Sequence, residues 1–116
     1  MSTELLYKIC TTEEWAEAKK DGRYSGSALD LKDGFIHFST AKQAQETARR
    51  HFAGQIRLVL VSIDPAALNE PLKWEPSRGG DLFPHLYAPL DLNAVHKVTP
   101  LPLGDDGVHV FPIVLT

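Results

Sequence analysis

The sequence predicts an α+β fold in a single domain spanning residues 1–116. Two capped helical segments fall in the N-terminal half, the C-terminal half is mostly short strands and turns, and helices and strands do not alternate as a doubly wound sheet requires. Leu5-Leu6-Tyr7-Lys8-Ile9-Cys10 forms the first strand. Thr11 and Glu14 make a capping-box pattern that opens the first helix, and Gly22 stops it. Residues 22–34, with Gly22, Gly26 and Gly34 among polar neighbours, form a long loop. Gly34-Phe35-Ile36-His37-Phe38-Ser39 is a short strand, after which Thr40 and Gln43 cap a second helix running to about Phe52.

Ile56 to Ile63 is apolar on both faces over Val59-Leu60-Val61, the pattern of a central strand. Asp64-Pro65 starts a short helical turn through Leu68. Leu72 to Glu75 is a strand stopped by Pro76, and residues 76–82 form a loop. Prolines 84 and 89 bar the Phe83-Pro84-His85-Leu86-Tyr87 segment from a central ladder position. Ala94 to Leu103 and Val108 to Leu115 form a hairpin at a sheet edge, joined by Gly104-Asp105-Asp106-Gly107. His96 and His109 then face each other across that turn.

The composition restricts function. With 43% hydrophobic and 23% charged residues, the 116-residue chain has the balance of a soluble globular domain. A net charge of -3 speaks against sequence-independent nucleic-acid binding, which needs a basic surface. No apolar run is long enough to span a membrane and no leader pattern opens the chain, so a cytoplasmic location is expected. The single cysteine, Cys10, excludes an internal disulfide and is expected to be half-buried and inert.

Four segments carry candidate chemistry. On the Gly34–Ser39 strand, Ile36 and Phe38 suit a core, while His37 and Ser39 share the other face beside a helix N-terminus, a combination that suits a phosphate-bearing ligand. His85 and Tyr87 share one side of an extended segment that follows a glycine-containing loop. Glu75, next to Trp74, is a carboxylate placed for desolvation and for a role as base or acceptor. Tyr7 and Lys8 can line a cleft from the first strand. Each has an ordinary structural reading as well: a satisfied strand histidine, a cap, a core aromatic, a tryptophan with a hydrated neighbour. His37, His85 and Glu75 lack metal-ligand spacing, so no metal is expected.

Leu6-Tyr7-Lys8-Ile9, Glu14-Trp15, Gly34-Phe35-Ile36-His37-Phe38-Ser39, Trp74-Glu75 and Phe83-Pro84-His85-Leu86-Tyr87 occur in the order and separation of the small bacterial family called domain of unknown function 952, which the chain resembles over nearly its whole length. That resemblance implies a fold similar to ADP-ribosyltransferases: a split, strongly bent β structure with a cleft between two small sheets and two helices in the N-terminal half. It also implies that NAD, ADP-ribose or a related nucleotide is the ligand, with NAD as substrate, and an ADP-ribosyl or phosphoryl-type transfer as the reaction. In that frame His37 holds the ribose or nicotinamide, Ser39 orients it, Tyr7 and Tyr87 complete the binding surface, and Glu75 or His85 stabilises a positively charged ribose. ADP-ribosyltransferases place a polar residue, commonly histidine, on the first strand of the cleft; here Tyr7 or Lys8 stands nearest, and neither is that histidine. A non-catalytic module that binds a small ligand or protein partner through a degenerate cleft is the alternative reading.

Overall fold

The protein is described here over residues 4–112 by a computed structural model. Its frame is a three-stranded antiparallel sheet. β1 (Leu6–Thr11) and β8 (Val95–Pro100) flank β4 (Leu58–Ile63), which is buried along its whole length. Strand alternation sends Val59, Val61 and Ile63 to one face, with Leu6 and Cys10 of β1, and Leu58 and Leu60 to the other, with Tyr7 and Ile9. Both faces are covered, which explains why β4 is apolar on both sides.

α1 (Thr12–Asp21) contributes Trp15 and Ala18 to the first face. Thr11 caps it: the Glu14 amide donates to Thr11 Oγ1 at 3.0 Å, and the Thr11 amide donates back to Glu14 Oε1 at 2.9 Å. α3 (Ala41–His51) lays Ala44 and Ala48 on the second face. Both helices match the sequence expectation.

The expected loop over 22–34 is instead ordered into two elements. β2 (Arg23–Tyr24) pairs with β7 (Leu90–Asp91), and α2 (Ala28–Asp33) makes a third helix. Six residues with a single buried side chain give α2 no amphipathic period to detect. Its boundaries are set locally, by Ser27 and Asp30 as a capping box and by Gly34 at φ 88°.

The second three-stranded sheet corrects the reading of Pro84. β6 (Leu82–Leu86) is central, between β3 (Ile36–His37) and β5 (Lys73–Pro76). Pro84 is tolerated there because β3 is so short. The N and C=O of one strand residue face the same neighbour. The Pro84 carbonyl accepts from the Phe38 amide at 3.0 Å, so its missing donor faces the point where β3 has already ended. The C-terminal hairpin lies at the sheet edge as expected, but among the described residues its two arms bond to each other only beside the turn. β8 pairs with β4, and the return segment contributes an isolated Leu103–His109 bridge, with residues 113–116 outside the described range. His109 does not meet His96: its Nε2 lies 2.8 Å from the Gln55 carbonyl, while His96 is exposed. Cys10 is fully buried at 1% exposure, not half-buried, and burial pushes its thiol up to about 12.

The two sheets meet at Tyr7 and Ser39, whose amides and carbonyls exchange two 2.8 Å hydrogen bonds.

Candidate functional site

The Tyr7–Ser39 joint opens into a cavity of about 350 Å³. β1 lines it with Tyr7, Lys8 and Ile9, the strand-to-helix segment with His37, Phe38 and Ser39, and β6 with Phe83 and His85. The start of α2 and the far end of α3 close it.

Register puts His37 directly opposite His85, and their rings meet edge to face at 5.3 Å between centroids. Phe35 stacks on His85 at 4.1 Å and also contacts His37 and Tyr87 at 4.6 and 5.0 Å. Two histidines 48 positions apart in sequence are thereby set in one aromatic cluster.

The two imidazoles have different partners. His37 is held at both nitrogens, with Nδ1 2.6 Å from Asp30 Oδ1 and Nε2 3.0 Å from Asp33 Oδ2. Asp30 is 2% exposed, yet its surroundings favour the charged form. Burial works to raise its pKa, but hydrogen bonds from His37 and Lys8, together with the Lys8 ammonium 2.7 Å away, reverse this and hold the carboxyl well below the usual carboxylate range. Lys8 is buried as well, and its ammonium also donates to the His37 carbonyl at 3.1 Å. One carboxylate therefore ties β1, α2 and β3 together.

His85 is held at one nitrogen only. Nδ1 lies 2.8 Å from Glu75 Oε1, and the Tyr87 hydroxyl donates to the same oxygen at 2.7 Å. These two hydrogen bonds hold the Glu75 carboxyl below its ordinary range, and the bond to Glu75 raises the Tyr87 phenol. His85 Nε2 is buried and has no hydrogen-bond partner among the described residues.

Of the residues singled out from sequence, Tyr7, His37, Ser39 and His85 line the cavity. Glu75 and Tyr87 do not; they stand behind His85 and reach the site through its ring. The expected desolvation of Glu75 by Trp74 is not realised: Trp74 is 48% exposed, and the Glu75 pKa is lowered. Ser39 is buried, with its hydroxyl 2.8 Å from Thr47 Oγ1. The anion-attracting helix start beside it is already occupied. The Thr40 amide donates to Gln43 Oε1 and the Gln43 amide to the Thr40 carbonyl, and Thr40 does not line the cavity. Sequence reasoning missed Asp30, Asp33 and the role of Phe35. Ser27-Ala28-Leu29-Asp30, a capping pattern inside the supposed loop, was the available signal for Asp30.

Fold and cavity together define a small α+β protein with a histidine-lined cleft where two sheets meet. Residues 9–98 match the family described as "Protein of unknown function (DUF952)", and the chain belongs to that family. The crystal structure of protein CC0527 from Caulobacter crescentus is similar at 53% identity and a TM-score of 0.87, covering 91% of this chain and 93% of that one. The solution NMR structure of CC0527 gives 54% identity and a TM-score of 0.79, with 90% of each chain covered. Among curated proteins none matches. No helix among the described residues is long and apolar enough to cross a membrane.

Proposed function

We propose that the cavity is a binding site for a nucleotide-type ligand such as NAD or ADP-ribose, and that His85 is the residue that engages it. The observation that carries this reading is the unpartnered, buried Nε2 of a ring that lines the cavity. A buried polar atom without a partner is costly, and native proteins rarely keep one without a use. The volume of about 350 Å³ lies in the range of small-molecule sites and suits one nucleoside of a dinucleotide. Tyr7, Phe38 and Phe83 offer it aromatic surface, and the ligand class is the one implied by the similarity of the Gly34–Ser39 block to the corresponding segment of ADP-ribosyltransferases.

In a catalytic form of this site, His85 accepts a proton from a ribose hydroxyl or an attacking water, with Glu75 holding the ring. The second reading is a binding module without turnover. It is favoured by His37, whose Nδ1 is hydrogen-bonded to Asp30 and whose Nε2 lies 3.0 Å from the Asp33 carboxylate, so that both ring nitrogens face carboxylates of the chain.

Titration calorimetry with NAD and ADP-ribose tests the assignment. The unmodified chain and the exposed control Lys42→Ala should bind alike, while His85→Ala should weaken binding by about tenfold or more, the loss of one good buried hydrogen bond. Equal binding by His85→Ala and Lys42→Ala would refute the site. Release of nicotinamide from NAD separates the two readings.

A further inference from the structure

We propose that the ligand meets His85 with an uncharged hydrogen-bond donor, a hydroxyl or an amide N–H, and that Glu75 enforces this choice as a positioning residue. The inference rests on the reading of the cavity as a nucleotide-type site and says which part of such a ligand enters: the nucleoside, not the phosphate.

The argument begins at Glu75 Oε1, which sits within hydrogen-bond distance of both His85 Nδ1 and the Tyr87 hydroxyl. A carboxylate only accepts, so both partners must donate. The proton of the neutral ring is thereby fixed on Nδ1, and Nε2, on the far edge of the ring from Glu75, presents a lone pair. His85 is 4% exposed, and Nε2 finds no donor among the described residues. A ligand hydroxyl or amide supplies what is missing. A phosphate oxygen is an acceptor and would face the lone pair.

The rest of the lining agrees. Among the described residues Lys8 is the only lysine or arginine that lines the cavity, and its ammonium is neutralised by Asp30 at 2.7 Å. Glu14 adds a second carboxylate to the lining. The first turn of α3 keeps its Thr40 and Gln43 amides for itself. Recognition of a phosphate normally draws on a guanidinium, a free ammonium or open helix amides, and around this cavity the fixed cation and these amides are already engaged.

Two measurements on the intact protein at neutral pH test this. Nitrogen NMR of the imidazoles should find His85 protonated at Nδ1 and bare at Nε2; a proton on Nε2, alone or in an imidazolium, would overturn the proposal. Calorimetry should find adenosine or nicotinamide riboside binding within a few-fold of NAD, and inorganic phosphate neither binding at millimolar concentration nor competing with NAD. Glu75→Gln can donate its amide to Nδ1 and so move the ring proton to Nε2, and should weaken nucleoside binding by about tenfold. If Glu75→Gln does not fold, the NMR assignment of the unmodified chain decides. NAD binding without nucleoside binding, or competition by phosphate, defeats this inference and leaves the site standing. Failure of NAD, ADP-ribose and both nucleosides to bind removes the site and the inference together.

Discussion

Asp30 carries more of the local structure than any other side chain around the cavity, because three separate elements use its two oxygens. Oδ2 meets the Lys8 ammonium and accepts from the Ser27 amide, while Oδ1 meets His37 Nδ1 and accepts from the His37 amide. Truncating such a group leaves a buried ammonium with no counter-ion, which costs about 3–5 kcal/mol. Asp30→Ala should therefore lower urea stability by about that amount, and Lys8→Met in the same background should recover part of it. No recovery would mean that the ion pair is not the source of the loss. The pH dependence has a definite sign. The folded pKa of Asp30 lies below its ordinary value, so in acid the unfolded chain binds the proton first. The stabilisation is complete above the ordinary aspartate value of about 3.9 and drains away as pH falls below it. Urea midpoints across that acid range should fall less steeply for Asp30→Asn than for the unmodified chain; parallel slopes would contradict the assignment.

At the scale of elements, what sequence could and could not reveal follows from the range of the interactions. α1 and α3 were legible because their signals are local: Thr11 with Glu14, Thr40 with Gln43, and apolar residues at helical spacing. The central position of β4 was legible because both of its faces are apolar. α2 was not, because six residues carry no period, and β6 was misjudged because the tolerance of Pro84 depends on where a different strand stops. His37 and His85 stood out individually as candidates, but their cross-strand pairing is a matter of register, which no local pattern fixes. Gly26 shows how narrowly α2 is placed. It has φ 115°, and a Cβ there would lie 2.7 Å from Asp30 Cβ. Gly26→Ala should cost about 1–3 kcal/mol through backbone strain and displacement of the Asp30 cap. Gly22→Ala, also at positive φ but in open space, should cost about 1 kcal/mol. Chemical denaturation of the two variants checks the order. Equal losses would show that contact with Asp30 is unimportant.

Across the whole molecule, stability and candidate function fall on different elements. β4 sits between two strands, and Val61 and Ile63 are buried completely. β2, β3 and β7 contribute two residues each, and among the described residues the backbone pairing between the two three-stranded sheets is the Tyr7–Ser39 pair, backed by the Lys8 ammonium on the His37 carbonyl. Short ladders have few neighbouring hydrogen bonds to break in series, so they open by local fluctuation, whereas a central buried strand opens only with the whole fold. Native-state hydrogen exchange should find the hydrogen-bonded amides of β4 slowest, at the global unfolding free energy. The amide of Ser39 should be faster by about tenfold or more, since its opening requires only the joint to part. A ligand filling the cavity contacts both sides of that joint at once, Tyr7 from one sheet and Ser39 and His85 from the other. Saturation with NAD should then slow the amides of Tyr7 and Ser39 more than those of β2 and β7, which lie outside the cavity. Uniform exchange across all strands would mean that the protein opens as one unit, and the division between a rigid frame and a looser binding joint would have to be abandoned.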